Sequence, residues 1–195
     1  GPSFPEPVWG ISVICPIARD MGDIALAMEV MAGVRAEAPA TLHIATSPDF
    51  GTGQVVEPDV AQNFADVVKV IGTAGIAIQS AEIDWGGLKG HDILPLQFAG
   101  LAQAYGDVWR KTPEIFDPMI AKQIETGLSL TGVEVAAAHQ VSHRMRATLR
   151  AALDHYGIIA TPTTPCPAWP AELSAPETIA GQPAGPRDHA AFTPQ

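Results

Sequence analysis

The sequence is most informative at residues 56–78, which read VEPDVAQNFADVVKVIGTAGIAI. Apolar residues recur there every three or four positions and predict a helix with one apolar face; they are Val56, Val60, Phe64, Val67, Val68 and Ile71. The acidic, proline-containing turn Glu57-Pro58-Asp59 is typical of a helix start. Short apolar segments flank this helix, TLHIATS (41–47) and GIAIQSAEID (75–84), and indicate strands. Strand, helix and strand in succession predict two parallel strands joined by a right-handed crossover.

The remaining segments extend this unit into an α/β fold, with a mixed sheet and covering helices. Apolar residues at helical spacing predict further helices over 20–33, 94–109, 116–127 and 132–155. The last helix begins at a capping box, Thr131-Gly-Val-Glu134, in which each side chain binds a backbone amide of the first turn. It leads into GIIATPTTPCPAWP (157–170), a strand that ends in closely spaced prolines.

The sequence predicts one domain, in which residues 1–161 form the helix and strand core and residues 162–195 form a proline-rich loop or tail. Prolines at the end of the strand would hold the following loop in one conformation. Two interpretations of that rigidity stay open. The loop is either a fixed wall of a ligand cleft or a stiff strand exit without any ligand contact.

The composition excludes several classes of function. The chain has 195 residues, of which 47% are apolar and 16% charged, and its formal net charge is −10. Such an acidic chain argues against a nucleic-acid surface and against binding to anionic membrane. No apolar run reaches the roughly 18 residues of a transmembrane helix, and the first ten residues do not resemble a signal peptide.

The two cysteines, Cys15 and Cys166, are far apart and form no C-x-x-C motif, so they predict no disulfide framework. This cysteine usage favours a reducing, cytoplasmic setting. The low proportion of charged residues further suggests that part of the surface is normally covered.

The pair most similar to a metal site is His139 and His143, four residues apart on the predicted long helix. Arg146 and Arg150 share that face, and two guanidinium groups repel a cation. We therefore expect a solvated basic face and no metal. The sequence contains no G-x-S-x-G elbow and no motif for a cofactor. No complete catalytic constellation is visible, so we assign no catalytic residue and no cofactor.

The order of segments resembles the amidase signature family. CPIARDMGDIALAMEVMAG (15–33) is similar to its G-P-M-A-R segment and following helix, with Cys15 in place of the usual glycine. VEPDVAQNFADVVKVIGTAGIAI (56–78) is similar to its next helix. The run from Thr131 to GIIATPTTPCPAWP (157–170) resembles its long helix and T-P-T strand end, and PETIAGQP (176–183) resembles the loop beyond.

This resemblance implies an enzyme that hydrolyses a carboxamide, with a small-molecule amide as the substrate of the complete protein. It places the strand end at the substrate cleft and suggests five pocket neighbours, Thr161, Pro162, Thr163, Tyr105 and Trp109. The family uses a serine nucleophile, a second serine, a lysine and a Gly-Ser-rich loop, in a segment expected to precede Gly1. We therefore expect a partial amidase domain that is inactive by itself.

A partial domain would leave apolar surface or a strand edge exposed, so we expect self-association, for example as a homodimer, or coverage by the chain's own tail. Two alternative functions stay open. The same fold serves as the amidase subunit of a tRNA-dependent amidotransferase, although the negative charge disfavours direct contact with tRNA. A non-catalytic binding or scaffold module derived from the fold would also lack the serine and lysine residues.

Overall fold

The structure is a computed structural model that describes residues 15–33, 35, 42–185 and 187–193. Its helices are α1 (Met21–Ala32), α2 (Pro58–Thr73), α3 (Leu94–Lys111), α4 (Pro118–Ser129) and α5 (Gly132–Tyr156). Its strands are β1 (His43–Thr46), β2 (Ala77–Ser80), β3 (Ile158–Ala160), β4 (Thr178–Ile179) and β5 (Gln182–Pro183). Short 3-10 turns occur at Gly90–Ile93, Pro113–Ile115 and Asp188–Ala190.

The main sheet has the strand order β2-β1-β3, and its three strands are parallel. Ile44 of β1 is in register with Ile78 of β2 on one side and with Ile158 of β3 on the other. The parallel pairing of β1 and β2 across α2 confirms the predicted strand-helix-strand unit. Antiparallel pairing among the described residues is confined to the small hairpin of β4 and β5.

The capping box at the start of α5 forms as predicted. The Glu134 amide donates to Thr131 Oγ1 over 3.3 Å, and the Thr131 amide donates to Glu134 Oε2 over 2.7 Å. The Thr131 amide and hydroxyl both donate to the Glu134 carboxylate, and these two bonds lower the pKa of the carboxyl because they favour its charged form. Farther along α5, Ala138 and Met145 are buried as the apolar spacing predicts.

The role predicted for Gly127 as a helix end is wrong. The sequence suggested that α4 ends near Gly127, but the helix continues to Ser129. Gly127 lies where α4 crosses α3, and a Cβ atom at this position would collide with the Phe98 carbonyl and with Ala102. The glycine is therefore needed for close helix packing and does not end the helix.

The core lies just beyond the carboxyl ends of the main strands. Phe50 follows β1, Trp85 follows β2, and their rings make an edge-to-face contact with centroids 5.5 Å apart. The Trp85 indole also donates to the Phe50 carbonyl over 2.8 Å. Met145 of α5 and Phe192 of the C-terminal segment are buried in the same cluster. Residues 162–193, expected to be a loop or tail, thus contribute a hairpin and a core side chain.

Candidate substrate-pocket wall at the carboxyl edge of the sheet

The three parallel strands end side by side. Ser47, Ala81 and Thr161 directly follow β1, β2 and β3. The Ser47 amide donates to the Ala160 carbonyl over 3.0 Å, and the Ala81 amide donates to the Thr46 carbonyl over 2.9 Å, so the strand ends stay joined at this edge. Ligands of open parallel sheets bind outside the carboxyl ends of the strands. This edge is therefore the candidate site.

The loop that follows β3 is rigid for reasons visible in its contacts. Pro162 and Pro165 are buried, whereas Thr163 is exposed. The Thr164 hydroxyl donates to the Cys166 carbonyl over 2.9 Å and closes a tight local turn. Fixed proline φ angles and buried rings leave the segment little freedom, so it forms a stiff wall beside the strand ends.

Glu57, the residue before α2, holds this wall from a distant part of the chain. Its amide donates to the Pro165 carbonyl over 2.8 Å. Its carboxylate accepts from the Ala180 amide over 2.7 Å, at the turn of the β4–β5 hairpin. Ala180 has a φ of 50°, a left-handed conformation that costs energy for alanine and needs support from neighbouring contacts. Glu57 thus ties the helix start, the proline loop and the hairpin together.

Sequence reasoning did not assign Glu57 any contact with the loop. Its position before Pro58 indicated only that a helix starts there. Its hydrogen bond to Ala180 joins residues 123 positions apart, and no local sequence pattern predicts such a contact.

The hydroxyl of Thr161, the residue that follows β3, has no partner among the described residues. Thr161 Oγ1 is buried and makes no hydrogen bond to any described residue. Leaving a buried polar atom unpaired costs about 1–3 kcal/mol. Such an atom at the carboxyl edge of a parallel sheet is a candidate for binding a polar ligand.

Cys166 is a residue of the same loop. It is only 5% exposed. Burial raises its pKa, and the negative charge of Glu57 raises it further. The thiol therefore stays protonated near neutral pH and is a poor nucleophile.

Comparison with known proteins decides the fold family. The chain is 25% identical over 185 residues to an acylamidase of Rhodococcus erythropolis, a match covering 85% of this chain and 39% of that protein. The crystal structure of an amidase matches with a TM-score of 0.75 at 20% identity, over 90% of this chain and 40% of that chain. A bacterial aryl acylamidase of the amidase signature family matches with a TM-score of 0.70 at 14% identity, over 92% and 43%. The chain has the amidase signature fold.

The family resemblance read from the sequence is thus confirmed, as is the α/β fold class. No family model matches the sequence. The chain spans 39% to 43% of the length of the proteins named above. It is similar to part of an amidase signature hydrolase.

The five predicted pocket neighbours fall into two groups in this amidase fold. Thr161, Pro162 and Thr163 lie together at the carboxyl edge. Tyr105 and Trp109 lie on α3, where the Tyr105 ring contacts Phe116 with centroids 6.2 Å apart. In the described part of the chain, no hydrogen bond or ring contact is seen between these two aromatic residues and residues 161–163. The assignment of all five residues to the pocket stays a prediction.

The histidine pair examined for a metal site lies on α5. His139 and His143 are both exposed on the helix. Within the described parts of the chain, no group of three or more His, Cys, Asp or Glu side chains is arranged to hold a metal ion. No helix in those parts is long and apolar enough to cross a membrane.

Proposed function

We propose that this chain forms one wall of the substrate pocket of an amidohydrolase that cleaves a carboxamide C–N bond, releasing an acid and ammonia or an amine. The acylamidase and the aryl acylamidase that it resembles support this class of reaction. The observation that carries the proposal is the unpaired Thr161 hydroxyl, held by a rigid proline loop at the carboxyl edge of an amidase fold.

A carboxamide suits this hydroxyl chemically. The amide group offers both a carbonyl acceptor and N–H donors, and a threonine hydroxyl can donate and accept. Binding the substrate would then satisfy an atom that is unpaired in the free protein. Because the loop is already ordered, little conformational entropy is lost when the substrate binds.

This chain contributes binding and orientation. The resemblance assigns the serine nucleophile, its lysine base and the oxyanion amides to a segment outside residues 1–195, so the reaction step depends on that segment. Pro162 and Pro165 keep the wall fixed, and Glu57 anchors it. Holding the amide in one orientation is itself a large part of catalysis.

The test uses a chimera in which this chain replaces the matched 185-residue segment of the Rhodococcus erythropolis acylamidase. Activity is measured on a panel of aliphatic and aryl amides, with Thr161→Val as the informative variant. Loss of one hydrogen bond should lower kcat/KM by about tenfold. Removing an unpaired hydroxyl should leave stability unchanged or slightly raised, because no native hydrogen bond is lost.

A matched control is Thr73→Val, which removes an exposed hydroxyl that bonds the Val70 carbonyl of its own helix. It should leave kcat/KM unchanged. An active chimera whose kcat/KM is unaffected by Thr161→Val would show that the carboxyl edge does not contact the substrate. A folded chimera without activity on any amide would favour a non-catalytic module.

A further inference from the structure

The side chain of Glu57 does not cap the helix that it precedes. A polar side chain at the N-cap commonly accepts a hydrogen bond from an amide of the first turn. Glu57 is the N-cap of α2, yet its side chain makes no capping bond. Its carboxylate accepts instead from the Ala180 amide over 2.7 Å, in a partly buried contact. A charged acceptor makes this bond stronger than one between two neutral groups.

The turn that contains Ala180 needs support from such a contact. Ala180 and Gly181 connect the paired strands β4 and β5, and their φ angles are 50° and 73°. Two positive φ angles in a hairpin loop of two residues are typical of a type I′ turn, which favours asparagine followed by glycine. Alanine is strained in this conformation. The bond from the Glu57 carboxylate helps to hold the strained residue in place.

Glu57 holds the proline loop through its backbone rather than its side chain. Its amide donates over 2.8 Å to the carbonyl of Pro165, which is fully buried. The pKa of the Cys166 thiol is raised by burial and also by the negative charge of Glu57, which agrees with a carboxylate close to this loop. A substitution of the Glu57 side chain removes the bond to Ala180 and keeps the backbone donor for Pro165, so the two bonds can be separated.

Thr161, whose buried hydroxyl has no partner among the described residues, begins the same loop. Pro162 and Pro165 restrict the backbone between Thr161 and the bond to Glu57, so a displacement at Pro165 is poorly absorbed within the loop. We infer that Glu57 is a positioning residue for the Thr161 hydroxyl, because its carboxylate fixes the Glu57 backbone against the hairpin and thereby fixes the loop. The inference rests on the proposed function, in which Thr161 contacts the amide.

The chain offers a conservative variant and a matched control. Glu57→Gln removes the charge and keeps an oxygen that can accept from the Ala180 amide. Glu57→Ala removes the acceptor altogether. Asp59→Ala removes an equal charge from the exposed first turn of α2 and leaves the bond between Glu57 and Ala180 in place.

The first experiment uses the 195-residue chain itself and needs no activity. Hydrogen exchange of the Ala180 amide is followed by NMR. In Glu57→Ala this amide should exchange at least about tenfold faster than in the parent, because it has lost its acceptor. In Glu57→Gln and Asp59→Ala its rate should stay within about threefold of the parent. Equal exchange in Glu57→Ala and the parent would overturn the inference.

The second experiment is a double-mutant cycle in the acylamidase chimera. Glu57→Ala should lower kcat/KM by about fivefold, and Glu57→Gln should stay within about twofold of the parent, because it keeps the acceptor. A residue that acts through Thr161 has no further effect once the Thr161 hydroxyl is gone. In the Thr161→Val background, Glu57→Ala should therefore change kcat/KM by no more than about 1.5-fold. Asp59→Ala should leave kcat/KM unchanged in both backgrounds.

The outcomes separate this inference from the proposed function. If Thr161→Val lowers kcat/KM and Glu57→Ala lowers it equally in both backgrounds, Glu57 supports the fold in general, so the inference is wrong and the proposed function stands. Full activity of Glu57→Ala beside a weakened Thr161→Val has the same meaning. If Thr161→Val keeps full activity, or the folded chimera hydrolyses no amide, the proposed function fails and this inference fails with it.

Discussion

At the scale of single residues, the two cysteines differ sharply in environment. Cys15 is exposed, whereas Cys166 is buried within the proline loop. Burial raises the pKa of the Cys166 thiol, and the negative charge of Glu57 raises it further. We predict that a disulfide reagent labels Cys15 quickly and Cys166 at least about tenfold more slowly in the folded chain, since the Cys166 side chain is buried and its raised pKa disfavours the reactive thiolate.

The measurement follows thiol labelling over time in native buffer and in denaturant. Cys15→Ser should remove the fast phase and leave the slow one. Equal rates for both thiols in the native chain would mean that the 161–170 loop does not shield Cys166.

His189 gives the C-terminal segment a dependence on pH. Its ring lies 4.7 Å from that of Trp169, and its Nδ1 atom is buried without a hydrogen bond to a described residue. Burial lowers the pKa of His189, Arg187 lowers it further, and Asp188 acts in the opposite direction. The folded chain therefore binds a proton less readily than the unfolded chain.

The pH dependence of stability follows from this difference in pKa between the folded and the unfolded chain. Above about pH 6.5 the imidazole is neutral in both states, and the stabilising contribution is complete. As the pH falls below that value the unfolded chain is protonated first, so stability is lost down to the lowered pKa of the folded state. We predict that the urea midpoint falls less between pH 7.5 and 5.5 in His189→Gln than in the parent.

His143→Gln serves as the control, because His143 is exposed on α5. It should show the same decrease as the parent. If His189→Gln also shows the parent's decrease, burial of this ring does not control stability in that range.

At the scale of elements, the capping box of α5 is a test of local stability. Thr131→Ala removes the hydroxyl that accepts from the Glu134 amide. We predict a loss of about 1 kcal/mol in the free energy of unfolding, within the 0.5–2 kcal/mol typical of such caps. Thr73→Ala, whose hydroxyl bonds a carbonyl within its own helix, should cost less. Equal losses in the two variants, measured by urea unfolding, would contradict the capping role.

Helices were the elements best predicted from the sequence, because apolar spacing and caps are local signals. The start of α5 is an example, since Thr131 and Glu134 are only three residues apart. Gly127 misled the prediction because its role depends on the close approach of α3 at Phe98. Sequence spacing contains no information about that contact.

The candidate site was predicted only in part, for the same reason. The proline pattern at 161–165 is local and indicated a rigid strand end. The bonds from Glu57 to Pro165 and Ala180 join segments more than 100 residues apart, and no local pattern indicates them. The hairpin at 178–183 was likewise missed, and the segment was expected to be irregular. Its strands have only two residues each, which is too short to give an alternating apolar pattern.

At the scale of the whole molecule, the chain covers 40% and 43% of the two amidase structures that it matches. At the carboxyl edge of its sheet, the buried Thr161 hydroxyl has no hydrogen bond to any described residue. An unpaired buried hydroxyl costs free energy that a bound polar ligand would recover.

The last prediction concerns activity. We predict that the 195-residue chain alone hydrolyses no simple amide above background. A pocket wall without a nucleophile leaves the amide carbon unattacked, and loss of the nucleophile or its base alone costs about 10⁶ in kcat in a serine hydrolase. The assay uses aliphatic and aryl amides, with the chimera described above as the active comparison. Turnover by the short chain that survives Ser→Ala changes at all seven serines, including buried Ser47, would show that the chemistry is not that of a serine amidase.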